Sequence, residues 1–155
     1  MLTLSWTRVI ARAADAERAR VRARLWRALL RKAERPQEYV PAISEARIVE
    51  RYADGFLREV RRGERVFLQR VTPDEAQGLI TFRHLNTPDI AAIRNELRED
   101  PPGRFALTVS LTLTGARTDP AVDERELRAW DSDFARTVEA VTAVLRAGLA
   151  DDTPR

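Results

Sequence analysis

The segment Phe105-Ala106-Leu107-Thr108-Val109-Ser110-Leu111-Thr112-Leu113 decides how the rest of the chain is read. Its odd-numbered residues are large and apolar and its even-numbered ones small or hydroxylated, the period of a strand with one buried and one wetted face. Such a face needs something to pack against. Between about Asp123 and Leu149, Leu127, Trp130, Phe134, Val138, Val141 and Leu145 recur at intervals of three and four, the stripe of a long amphipathic helix. Together the two segments predict a sheet packed on its C-terminal helix.

Upstream, short stretches rich in β-branched and aromatic residues are punctuated by Asp54-Gly55, Arg62-Gly63 and Thr72-Pro73-Asp74. They predict an antiparallel meander with strands near Ala46 to Tyr52, Phe56 to Arg61, Arg65 to Val71 and Gly78 to Leu85. Further back, Leu2, Leu4 and Trp6 alternate with Thr3, Ser5 and Thr7, which predicts a first strand. Leu25, Trp26, Leu29, Leu30 and Ala33 then fall at helical spacing, with Arg20, Arg24, Arg27 and Arg31 on the opposite side. Pro36 ends that helix and leaves room for one more helical turn before Pro41. Ile90 to Glu99 has helix-favouring composition between two sets of breakers, so its residues alone fit either a helix or a strand.

This order of elements resembles the START-like superfamily, also known by the birch-pollen-allergen fold. The stretch Leu25-Trp26-Arg27-Ala28-Leu29-Leu30-Arg31-Lys32-Ala33-Glu34, followed by Pro36-Gln37-Glu38-Tyr39-Val40-Pro41, is similar to the helix and short second helix of one subgroup. That subgroup is named after a protein of the fungal acetylaranotin biosynthetic cluster. The segments Ala46 to Glu50 and Phe56 to Glu59 match its next two strands. The resemblance implies an α+β helix-grip fold: a curved antiparallel sheet of about seven strands wrapped on a long C-terminal helix, with two short helical pieces after strand one. It also implies that Ile90 to Glu99 is the sixth strand, against its local preference.

Length and composition bound the rest. At 155 residues, one domain is expected over residues 1–150, with a frayed tail over 151–155. The absence of cysteine removes disulfides, thiolate metal sites and thiol nucleophiles. The first ten residues lack the pattern of a secretory signal, and no run of about 18 apolar residues occurs. A cytoplasmic protein without a membrane span is therefore expected. Positive charge is almost all arginine, Lys32 being the only lysine, and 27 basic residues face 24 acidic ones.

In the fold that the resemblance implies, Phe82, Val109 and Leu111 from strands and Trp130, Phe134 and Val138 from the last helix are expected to line a cavity for a small, largely apolar molecule, aromatic or polyketide-like. The same side chains would equally make a solid core. A cyclase or dehydratase, an activity found elsewhere in the superfamily, is the alternative. His84, the only histidine, shares strand parity with Ile80 and Phe82 and is a candidate both for the lining and for acid–base work. The competing reading is a hydrogen-bonded or solvated strand-end histidine. Glu59 and Arg61 are the other candidates for an inward charge. No cofactor and no metal is expected: there is no glycine-rich phosphate loop, and Asp131, Asp133, Asp151 and Asp152 read as solvated surface. The arginine stripe could follow a nucleic-acid backbone, but no aromatics interleave with it and Glu17, Glu34 and Glu38 dilute its field, so it reads as a solvated face.

Overall fold

The computed structural model describes residues 2–114 and 120–150, and for 120–127, 130 and 150 the backbone alone. Residues 151–155, read above as a frayed tail, lie outside the described residues. Seven strands, β1 (Leu2–Arg12), β2 (Ile43–Tyr52), β3 (Gly55–Arg62), β4 (Arg65–Asp74), β5 (Leu79–His84), β6 (Ile90–Glu99) and β7 (Arg104–Leu113), form one antiparallel sheet in the order β1-β7-β6-β5-β4-β3-β2. Helix α1 (Arg18–Glu34) and a 3-10 turn (Pro36–Glu38) stand between β1 and β2, and α2 (Pro120–Ala150) closes the chain. This is the α+β helix grip. The first helical piece is a full 17-residue helix.

The β7 alternation sorts the two faces of the sheet. Phe105, Leu107, Val109 and Leu111 are buried in one core with Phe134, Val138, Val141 and Leu145 of α2. On the opposite face the hydroxyls of β7 pair with those of β1, Thr108 with Thr7 at 2.8 Å, Ser110 with Ser5 at 3.0 Å and Thr112 with Thr3 at 3.1 Å. These pairs hold the register against a one-residue slip, which would turn the apolar set outward. On β1, Trp6 and Ile10 are buried, whereas Leu2 is exposed at the strand's start. The Trp6 ring stacks on Phe134 at 5.4 Å and its Nε1 donates to Asp131 at 2.9 Å, which fastens α2 to the sheet edge. Leu25, Trp26, Leu29 and Ala33 of α1 enter the same core.

Ile90 to Glu99 is a strand throughout, because β5 and β7 both pair with it and satisfy its backbone on either side. Local helix preference is weaker than those two ladders. The turn expected at Thr72-Pro73-Asp74 falls later, with Gly78 donating to the Glu75 carbonyl at 3.0 Å. Pro73 is tolerated inside β4 because β3 ends opposite Val71, so that neighbour does not require the missing N–H. Gly103 has φ +86°, and a Cβ there would stand 2.4 Å from the Ala13 carbonyl oxygen. Only glycine fits where the β6–β7 turn meets the end of β1.

Candidate functional site

Between the inner face of the sheet, α2 and the end of α1 lies a cavity of about 300 Å³. Its walls are largely apolar: Phe67, Phe82, Ile93 and Val109 from the strands, Phe134, Val138 and Val141 from α2. The helical residues lie three and four apart because one stripe of α2 faces the sheet. Of the residues expected here, Phe82, His84, Val109, Phe134 and Val138 line the space. Leu111 does not: it is fully buried in the core, two residues along β7 from Val109. The side chain of Trp130, and that of Leu127 on the same stripe, lie outside the described residues.

The cavity is not apolar throughout. Lys32, Arg58, Gln69, His84 and Asn95 also line it, and the first two are only 9% and 7% exposed. Arg58 shares strand parity with Phe56 and Val60, Gln69 with Phe67 and Val71, and Asn95 with Ile93 and Leu97, so each replaces one residue in an inward-facing apolar series. Lys32 stands three residues after Leu29 on the buried stripe of α1.

These groups form two hydrogen-bonded chains. Lys32 Nζ donates to Asn95 Oδ1 at 2.5 Å. Arg58 Nε donates to Gln69 Oε1 at 2.6 Å, and its Nη1 to the Ala33 carbonyl at 2.7 Å. With the Gln69 oxygen facing Arg58, the amide nitrogen faces His84 Nε2 at 2.8 Å and must donate to it. His84 is therefore the neutral tautomer carrying its proton on Nδ1. That Nδ1 and Asn95 Nδ2 are buried with no partner among the described residues. Both cations lie against the Phe82 ring, Arg58 Cζ 4.5 Å and Lys32 Nζ 5.2 Å from its centroid.

Burial dominates the electrostatics. It lowers Lys32 to about 7, helped by the nearby Arg58 charge. It lowers Arg58 to about 9, leaving the guanidinium charged at neutral pH. His84 falls to about 4, from burial first and Arg58 second, so the imidazole is neutral across the physiological range. Among the described residues no carboxylate lies within ion-pair distance of Lys32 or Arg58. Nearer solvent, Arg62 pairs with Asp133 at 2.7 Å across the gap between β3 and α2.

One sequence reading changes here. Glu59 and Arg61 face away from the cavity, on the parity opposite to Arg58, and pair with Arg47 and Glu45 on the outer face. Asp131 is exposed and Asp133 half-exposed, and from the surface they tie α2 to Trp6 and Arg62. In the arginine stripe, Arg20 pairs with Glu17 at 2.7 Å and Arg31 with Glu38 at 2.8 Å, which reduces its outward charge.

The family described as Acetylaranotin biosynthesis cluster protein L matches residues 7–148. No curated protein matches. Among solved structures, the chain is similar to the Zhui aromatase/cyclase from Streptomyces sp. R1128, at 15% identity and TM-score 0.65, covering 93% of this chain and 92% of that one. It is similar to the di-domain ARO/CYC BexL from the BE-7585A biosynthetic pathway, at 17% identity and TM-score 0.71, covering 99% of this chain and 48% of that one. The chain thus spans about half the length of the di-domain protein. A START superfamily protein from Mycobacterium smegmatis is similar at 16% identity and TM-score 0.58, covering 92% and 98%. At these identities the likeness is one of fold.

Proposed function

Because the chain belongs to the acetylaranotin biosynthesis cluster protein L family and folds as a START-like helix grip, we propose that it binds a small, largely apolar metabolite, aromatic or polyketide-like, between the sheet and α2. The observation that carries this is the cavity of about 300 Å³, mostly apolar with a few convergent polar groups, at the lower end of the range for ligand pockets. Burial of the ligand's apolar surface drives binding, and the polar groups set its orientation. No helix among the described residues is long and apolar enough to cross a membrane; a cytoplasmic location belongs to the same proposal and rests on the cysteine-free sequence.

A second reading, a cyclase- or dehydratase-type enzyme, is favoured by one observation: Lys32 is buried beside the cavity with its pKa brought to about 7. A group poised there can give or take a proton at neutral pH, whereas His84, held at about 4 with Nε2 engaged, contributes only a donor N–H. Arg58 would polarise a carbonyl oxygen in the same site.

Native mass spectrometry of freshly purified protein tests the binding function, followed by calorimetric titration with naphthamide, a neutral apolar probe. A co-purifying small molecule, or saturable naphthamide binding, is expected. Neither a bound mass nor binding heat would mean that the space is not a ligand site.

A further inference from the structure

We infer that the molecule this cavity takes is an anion: an apolar body bearing one ionised oxygen group, a carboxylate, enolate or phenolate, seated against Lys32 and Arg58. The inference rests on the proposed binding function and specifies the chemistry of its ligand.

A census of donors and acceptors leads there. The acceptors at the polar end are Asn95 Oδ1, Gln69 Oε1, the Ala33 carbonyl and His84 Nε2, and each already receives a proton from Lys32, Arg58 or Gln69. Each carbonyl oxygen there keeps a second lone pair, but the buried groups left without any partner among the described residues are donors, Asn95 Nδ2 and His84 Nδ1, and they stand beside the remaining protons of the Lys32 and Arg58 head groups. An acceptor satisfies these two orphaned donors.

Charge narrows the acceptor to an anion. The more exposed Arg8, Arg18 and Arg62 each meet a carboxylate, Glu139, Glu99 and Asp133. The two buried cations have neutral amides, a carbonyl and a ring face instead. Burying a charge without a counter-charge is costly, and an aromatic face offsets only part of that cost. Lys32 is faced by Arg58 from β3 and Asn95 from β6, with His84 of β5 in the same cavity. Toward solvent stand Arg62, Arg65 and Asp133, the last already paired with Arg62. The field at the polar end is therefore positive, and a bound anion supplies the missing charge.

A proton linkage follows. Burial and Arg58 hold Lys32 near 7, and an adjacent anion, by favouring the charged amine, opposes both effects, so binding above that pH draws a proton onto the amine.

Naphthoate and naphthamide share ring and size and differ in charge, which makes them the test pair. Both are titrated into the wild-type protein by calorimetry at about pH 8, where naphthoate is fully ionised, in two buffers of different ionisation enthalpy. Naphthoate is expected to bind tighter by about tenfold or more, as charge-assisted hydrogen bonds exceed neutral ones. Uptake of up to about one proton per naphthoate is expected as well. Lys32→Met should abolish the uptake and reduce the preference; if that variant does not fold, the wild-type comparison still decides. Equal or tighter binding of naphthamide overturns the anion while leaving the cavity as a ligand site. Binding of neither probe overturns both. A naphthoate preference without proton uptake overturns the seat at Lys32.

Discussion

Gln69 and His84 stand directly opposite each other on β4 and β5 and share a hydrogen bond, Nε2 to Nε2, at 2.8 Å. Because Arg58 occupies the Gln69 oxygen, the bond has one direction, and it makes His84 a fixed donor at Nδ1. Nitrogen NMR of the imidazole should show the neutral Nδ1–H tautomer from neutral pH down to about 4. The folded group titrates below its unfolded value of 6.5, so between 6.5 and about 4 the unfolded chain binds more protons. Stability should fall as pH drops through that window, and His84→Gln should flatten this part of the profile. A histidine titrating near 6.5 in the folded protein would contradict the burial described.

Lys32 has a window of the same sign at higher pH. Its folded pKa of about 7 lies below the unfolded 10.5, so the unfolded chain again binds more protons, here between those two values. Stability should therefore rise as pH increases from about 7 toward 10.5, and be lowest with respect to this group below 7. Lys32→Met keeps the apolar stem and removes the charge, so it should raise the urea midpoint at neutral pH and erase that rise. An unchanged slope in the variant would assign the pH dependence to another group.

The two halves of the site differed in how readable they were. Phe82, Val109, Phe134 and Val138 sit at positions where period and residue type agree, and the cavity lies where their faces meet. Lys32, Arg58, Gln69 and Asn95 occupy inward positions of the same series with residue types that usually mark the wetted face. Parity alone signalled them: Arg58 between Phe56 and Val60 is as inward as its neighbours. Glu59 and Arg61, the candidates for an inward charge, have the opposite parity and pair with Arg47 and Glu45 on the outer face. Lys32 falls three residues after Leu29, on the apolar stripe, but its residue type is one that ordinarily stays in water. Fold suffered less: composition opposed structure at β6, where pairing on both edges decided it, and at Thr72-Pro73-Asp74, which continues β4 instead of turning. Buried polar residues break local rules at places where a function can offset the cost.

Reversing the charge of Arg24, Arg27 and Arg31 together should leave the fold intact and the binding of naphthoate nearly unchanged. Arg27 and Arg31 are exposed on the side of α1 opposite the stripe that carries Lys32, Arg24 is half-buried at its border, and exposed charges are screened by salt. Circular dichroism with titration of the triple variant checks both halves. Loss of probe binding in a folded variant would move function from the cavity to the arginine face.

Val109 and Leu111 separate ligand space from core on a single strand. Both are buried and both point inward from β7, but only Val109 borders the cavity. Leu111→Ala leaves a new void among packed neighbours and should cost about 2–5 kcal/mol with little effect on naphthamide affinity. Val109→Ala extends a space that already exists, so its cost should stay near the transfer term, about 1–2 kcal/mol. Its effect on the probe should be larger, because a wall contact is lost where the ring sits. Urea midpoints and naphthamide titrations of the two variants give four numbers. If Val109→Ala destabilises as much as Leu111→Ala and leaves the titration unchanged, the space beside Val109 behaves as packed core, and the binding function must be sought elsewhere on the molecule.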